Sequence, residues 1–121
     1  MQPPIFPVCA ADPAVTALLG TGPTRLYPFG EAPQGVALPY AVWQVVTGSP
    51  ENFLGDRPDI DGLTVQVDVY AATGSSAIEV AEALRDAIEP HAHIVRWGGQ
   101  ETDPDTSRRR IGFDVDWFVP R

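Results

Sequence analysis

The chain has 121 residues, a formal charge of -8 at pH 7 and a sequence pI near 4.4, and every basic residue is Arg, because no Lys occurs. Such a balance argues against tight nonspecific binding to nucleic acid and against anionic membranes, both of which need a basic surface. A hydrophobic fraction of 44% excludes a disordered chain. Cys9 is the only cysteine, so no intramolecular disulfide forms and a reducing, cytoplasmic setting fits. The length suits one domain over residues 1–121 with one core. The N-terminal "MQPPIFPVCAADPAV" has neither the basic segment nor the continuous apolar segment of a signal peptide, and no apolar run approaches the ~20 residues of a membrane span. The expectation is a soluble protein made without export.

The first predicted element is a helix in "ADPAVTALLG", with Asp12 as cap, Pro13 at the first helical position and Gly20 as left-handed stop. Arg25 to Tyr27 could pair as a short strand before a loop shaped by Pro28, Gly30, Pro33, Gly35 and Pro39. "YAVWQVVTG" reads as a strand with Ala41, Trp43 and Val45 on one face and Tyr40, Val42, Gln44 and Val46 on the other. A second punctuated loop, "GSPENFLGDRPDIDG", carries Phe53 and Leu54 at its middle. "LTVQVDVYA" alternates most clearly, with Leu63, Val65, Val67 and Val69 opposed by Thr64, Gln66, Asp68 and Tyr70.

An amphipathic helix follows in "TGSSAIEVAEALRDAIEP", with Ser75 or Ser76 as cap, Ile78, Ala81, Leu84 and Ile88 inward, and Pro90 ending it. "AHIVRWGG" and "RRRIGFDVDWFVP" are two further strands, separated by the polar turn "GQETDPDTS". In the last strand Ile111, Phe113, Val115, Trp117 and Val119 oppose Gly112, Asp114, Asp116 and Phe118. The fold class is α+β: a mainly antiparallel sheet of about four strands with two helices on one face.

The search for chemistry returns little. His91 and His93 share a strand face and Glu89 is near, but a zinc site needs at least one further protein ligand, and the start of a strand explains the pair. "DRPDIDG" spaces Asp56, Asp59 and Asp61 before a glycine, without the twelfth-position Glu or flanking helices of a calcium loop. No serine lies in a strand-to-helix elbow, and Cys9 sits in a Pro-rich leader with no basic neighbour to lower its pKa. Asp114 and Asp116 share a strand face but need no more than an exposed sheet surface to explain them. "GTG" at 20–22 lacks the lysine of a phosphate loop. Of Arg108, Arg109 and Arg110, a strand sends the middle one to the opposite face, which suits a solvated or subunit-pairing cluster better than a nucleic-acid patch. Phe29, Phe53, Leu54 and Arg57, held in loops framed by Pro and Gly, are the candidate partner contacts. The chain suits assembly better than catalysis.

At these loops, "RLYPFGEAPQ", "PYAVWQVVTGSPENFLGDRPDID", "VQVDVYAATGSSAIEVAEALRDAIEPHAHIV" and "FDVDWFV" resemble the tail completion family of long-tailed bacteriophages and prophages. The resemblance covers nearly the whole chain in order. It implies a small α+β protein forming a ring, generally of six copies, at the head-proximal end of the tail tube, synthesised in the host cytoplasm and carried in the virion. It implies a tail terminator or tail-to-head joining role, with a major tail tube protein and a head-tail connector or stopper protein as partners, and DNA passing without tight binding. It implies no enzyme activity, no cofactor and no membrane partner. In such a ring Asp68, Asp114 and Asp116 are candidates for an acidic lumen lining, and Phe53, Leu54 and Arg57 for one side of the subunit contact. Another virion adaptor or tube component is the alternative reading, followed by a small metal-dependent enzyme using His91 and His93.

Overall fold

The computed structural model describes residues 2–51 and 60–120. Three helices and five strands follow in the order α1 (Ile5–Ala10), α2 (Pro13–Leu19), β1 (Leu26–Pro28), β2 (Tyr40–Glu51), β3 (Ile60–Ala71), α3 (Gly74–Ile88), β4 (His93–Thr102) and β5 (Arg109–Pro120). The α+β class is as the alternation demands, with five strands rather than four and three helices rather than two. The additional strand is β1, and the additional helix is α1, which occupies the supposed leader. Three prolines made that stretch look irregular. Pro7 falls in the first turn, where a backbone N–H would lack an intrahelical acceptor anyway, so the helix tolerates it. Ile5 and Cys9, four residues apart, are both fully buried on one side of α1.

In α2 the Asp12 carboxylate accepts from the N–H groups of Ala14 at 2.9 Å and Val15 at 3.3 Å, and Gly20 ends the helix at φ 81°. The cap of α3 is Thr73, not Ser75 or Ser76: its backbone is extended and its hydroxyl accepts from Ser76 N–H at 3.1 Å. The inward stripe is Ala77, Val80, Ala81, Leu84, Ala87 and Ile88. Ile78 lies a 100° step off this stripe and is exposed.

The strands form one sheet in the order β1-β2-β3-β5-β4, antiparallel except for the parallel β1–β2 pair. β2 and β3 run further than their apolar alternation, pairing through Ser49–Gly62 to Glu51–Ile60. β4 likewise takes Gln100 to Thr102 from the supposed turn, because β5 offers a partner as far as Arg109. Sheet pairing through the backbone overrides side-chain polarity at the end of an edge strand.

One face of the sheet packs under the helices. Ala41, Trp43, Leu63, Val65, Val67, Val69, Ile111, Phe113, Val115 and Trp117 are buried there, with Ile5, Val15, Leu19, Val80 and Leu84 above them. Val45 points to this side but lies beyond the helical cover and is exposed, whereas the sequence pattern grouped it with Ala41 and Trp43. A bulge between Val45 and Thr47 then shifts the register of β2. No helix among the described residues is long and apolar enough to cross a membrane.

Leu84→Ala should lower the unfolding free energy by about 3 kcal/mol in denaturant titration, since it empties a fully buried site, whereas Ile78→Ala should cost well under ~1 kcal/mol. Thr73→Ala should cost about 1 kcal/mol as the loss of a cap, and Ser75→Ala much less.

Candidate assembly interface

Among the described residues, no helix lies on the reverse face of the sheet. Its side chains stand in cross-strand rows fixed by the register: Tyr40, Tyr70, Arg110 and Glu101; Val42, Asp68 and Gly112; Gln44, Gln66, Asp114 and Arg96; Thr47, Thr64, Asp116 and His93. These rows are mostly polar and half-buried, as a well-formed sheet surface requires when neither helix nor loop covers it.

Within the rows, opposite charges meet across strands. Arg96 Nε donates to Asp114 Oδ2 at 2.8 Å, Arg110 pairs with Glu101 and lies 3.8 Å from Asp68, and Thr64 Oγ1 donates to Asp116 Oδ1 at 3.0 Å. Tyr40 and Tyr70 stack with ring centroids 5.0 Å apart, and Arg108 donates to the Tyr40 hydroxyl at 2.8 Å. The arginine run is therefore tied into its own sheet: Arg108 and Arg110 reach the tyrosine pair and Glu101, while Arg109 turns the other way, opposite Ala71.

Asp68 sits close under β5. A side-chain carbon at Gly112 would come within 2.6 Å of Asp68 Oδ1, so glycine is what lets the carboxylate lie over the neighbouring strand. Burial pushes the Asp68 carboxyl above its usual value of 3.8, outweighing the opposing pull of Gln66, Arg110 and Arg96. The three aspartates singled out from the sequence thus share one face, Asp68 and Asp114 through adjacent rows and Asp116 one row further on. Four carboxylates, those of Asp68, Glu101, Asp114 and Asp116, face the two guanidiniums of Arg96 and Arg110, which leaves the surface acidic.

Exposed apolar side chains gather instead at the two lateral edges of the sheet. Phe29 (70% exposed), Val45 (42%) and Val46 (43%) lie along the β2 side. Val95 (54%) and Trp97 (41%) lie on β4, where Trp97 stacks on Phe113 at 5.3 Å beneath the Arg85 guanidinium. Phe118 is exposed on the open face, edge-on to His93 at 6.5 Å. Of the predicted contact residues, Phe29 is exposed, and Phe53, Leu54 and Arg57 lie outside the described residues. Val45 and Trp97 were missed because each follows the helix-side alternation of a strand and is exposed only where the helical cover ends, whereas Val46 and Val95 fall at bulges that the sequence pattern does not mark.

His91 and His93 are exposed, His93 opening β4, and no three His, Cys, Asp or Glu side chains among the described residues are gathered to hold a metal ion. Of the proposed calcium loop, Asp61 is buried in β3. Asp56 and Asp59 lie outside the described residues. The Cys9 thiol is pushed up to about 12 by burial beneath the sheet and by Asp12, which makes it inert.

Because the folded chain holds the Asp68 proton more tightly than the unfolded chain does, that group favours folding at low pH, and its contribution is lost as pH rises through the raised value. Asp68→Asn should therefore raise the thermal midpoint at pH 7, with the gain shrinking as pH falls through the raised value and gone below pH 3.8; a lower midpoint at pH 7 would contradict the burial argument.

Comparison with known proteins bears on what such a surface is for. The family model for tail completion protein gp17 matches residues 3–120. A chain of the virion of a native gene transfer agent particle has the same fold, with a TM-score of 0.71 and 17% identity over 97% of this chain and 92% of that one. The gp17 protein of bacteriophage SPP1 superposes with a TM-score of 0.57 and 10% identity over 97% of this chain and 86% of that one. No curated protein matches in sequence. An α+β chain with one helix-covered sheet face, matched across nearly its whole length, belongs to the tail completion protein gp17 family.

Proposed function

We propose that the protein is a non-enzymatic component that forms a hexameric ring at the head-proximal end of a phage tail tube, ends growth of the tube and joins it to the head connector. The observation that carries this reading is the family match over residues 3–120, which makes the chain a structural protein of a phage-type tail. The surface chemistry is consistent with it. Exposed apolar side chains lie at opposite sheet edges, as a head-to-tail ring contact requires, where one patch meets a different patch of the next subunit.

The open face then turns to the lumen. Its excess of carboxylates repels phosphates, so DNA passes without being held, and a basic lining would instead bind it with a steep salt dependence. The major tail tube protein and the head-tail connector are the axial neighbours in this reading, and the protein resides in the virion.

Deletion of the gene from a producing phage or prophage tests the role. Electron microscopy of the lysate should show DNA-filled heads and detached tails of abnormal length; complete joined particles would refute it. In a separate test, the purified protein should show no saturable binding to double-stranded DNA at low salt. Tight, salt-sensitive binding would remove the acidic-lumen reading.

A further inference from the structure

Among the described residues, two edges of the sheet have no strand on their outer side, and they match. On the β2 side, Ala41 N–H donates to Arg25 O at 2.9 Å and Trp43 O accepts from Phe29 N–H at 2.9 Å, so these residues aim their outward groups at the β1 segment. The two-residue alternation aims those of Val45 the same way, but β1 has ended at Pro28 and no strand among the described residues continues alongside. The opposite edge is β4, paired only with β5. An open edge of this kind templates pairing with another chain.

Strand direction and level make the two edges complementary. β2, β3, β5 and β4 alternate in direction across the sheet, so a second copy added beside β4 in the same orientation presents its β2 antiparallel to β4. One cross-strand row runs Val45, Val65, Val115, Ile94. Its two ends, exposed Val45 and the bulged Ile94–Val95, stand at the same height on opposite edges. A closed ring has no rise along its axis, so such a row returns to its own level at the next subunit.

The chemistry of the edges agrees on each face. On the helix side, exposed Val45 meets Ile94 of the same row, with exposed Trp97 next along that face; on the open side, Gln44 meets Arg96 of the same row. The second bulge of β4, between Trp97 and Gln100, bends the strand at Gly98–Gly99, where β1 of the neighbouring copy would otherwise obstruct it. The second bulge ends the regular edge after Trp97, and the first, at Val95, lies within the remaining stretch His93–Trp97, which limits indiscriminate edge association.

Resting on the ring reading above, we propose that successive copies of this chain join by antiparallel pairing of the free β2 edge around Val45 with the β4 edge at His93–Arg96, extending one sheet from subunit to subunit.

Cysteine pairing tests this, because the native Cys9 is buried and does not interfere. Val45→Cys would be combined in turn with His93→Cys, Val95→Cys and Gly99→Cys, positions that cover the register shift a tilted strand introduces. Purified protein and complemented particles would be oxidised with diamide and resolved without reductant. At least one double variant should give a ladder up to six linked chains. A mixture of tagged Val45→Cys and untagged partner single variants should link only tagged to untagged chains. Bridges between two Val45→Cys chains would overturn the head-to-tail pairing. Rings seen by native mass spectrometry or on tails, with no bridge in any combination, would overturn the edge pairing and leave the ring reading standing. No species above monomer, in solution or on tails, would overturn both.

Discussion

One constraint organises this molecule: a sheet with enough helix to cover one face only. β3 and β5 alternate strictly, so Val65, Val67, Phe113 and Val115 go under α1, α2 and α3 while their neighbours stand on the other side. Everything on that other side must be tolerable in water or be covered by another molecule. The polar rows meet the first condition, and the exposed apolar edges invite the second.

The cost of the open face is visible in Asp68. A carboxylate pressed over Gly112 and raised by burial is not what stability alone would select, and its neighbours Arg96 and Arg110 only partly compensate. An assembly in which this surface faces passing DNA gives the acidic excess a purpose. The lateral edges carry the complementary logic: in the proposed ring, the exposed valines and open strand edges of one copy are covered by the next, so features that are liabilities in a monomer would specify the contact.

How much of this could be read from the sequence depended on whether the residues concerned answered to local or to distant neighbours. Strict alternation located β3 and β5 and put Asp68, Asp114 and Asp116 on one face. The Asp12-Pro13 pair located α2. The prolines of α1 obscured it, because Pro7 in a first turn and Pro7 in an irregular leader look alike without the pocket that receives Ile5 and Cys9. The polar end of β4 belonged to a strand only because β5 pairs with it, and Val45 was exposed only because the helices stop short of it. Of the expected contact residues Phe29 lies at the surface, and the role itself came through a resemblance of "YPFGEAPQ" and "VDVYA" to a family rather than through any catalytic or metal-binding pattern.

The measurement that tests the central claim most directly is a cryo-electron microscopy reconstruction of the head-proximal end of assembled tails. The account predicts six copies in one ring, with Asp68, Asp114 and Asp116 facing the axis and the helices outside. A ring with those carboxylates on its outer rim, or a tail end lacking this chain, would contradict it.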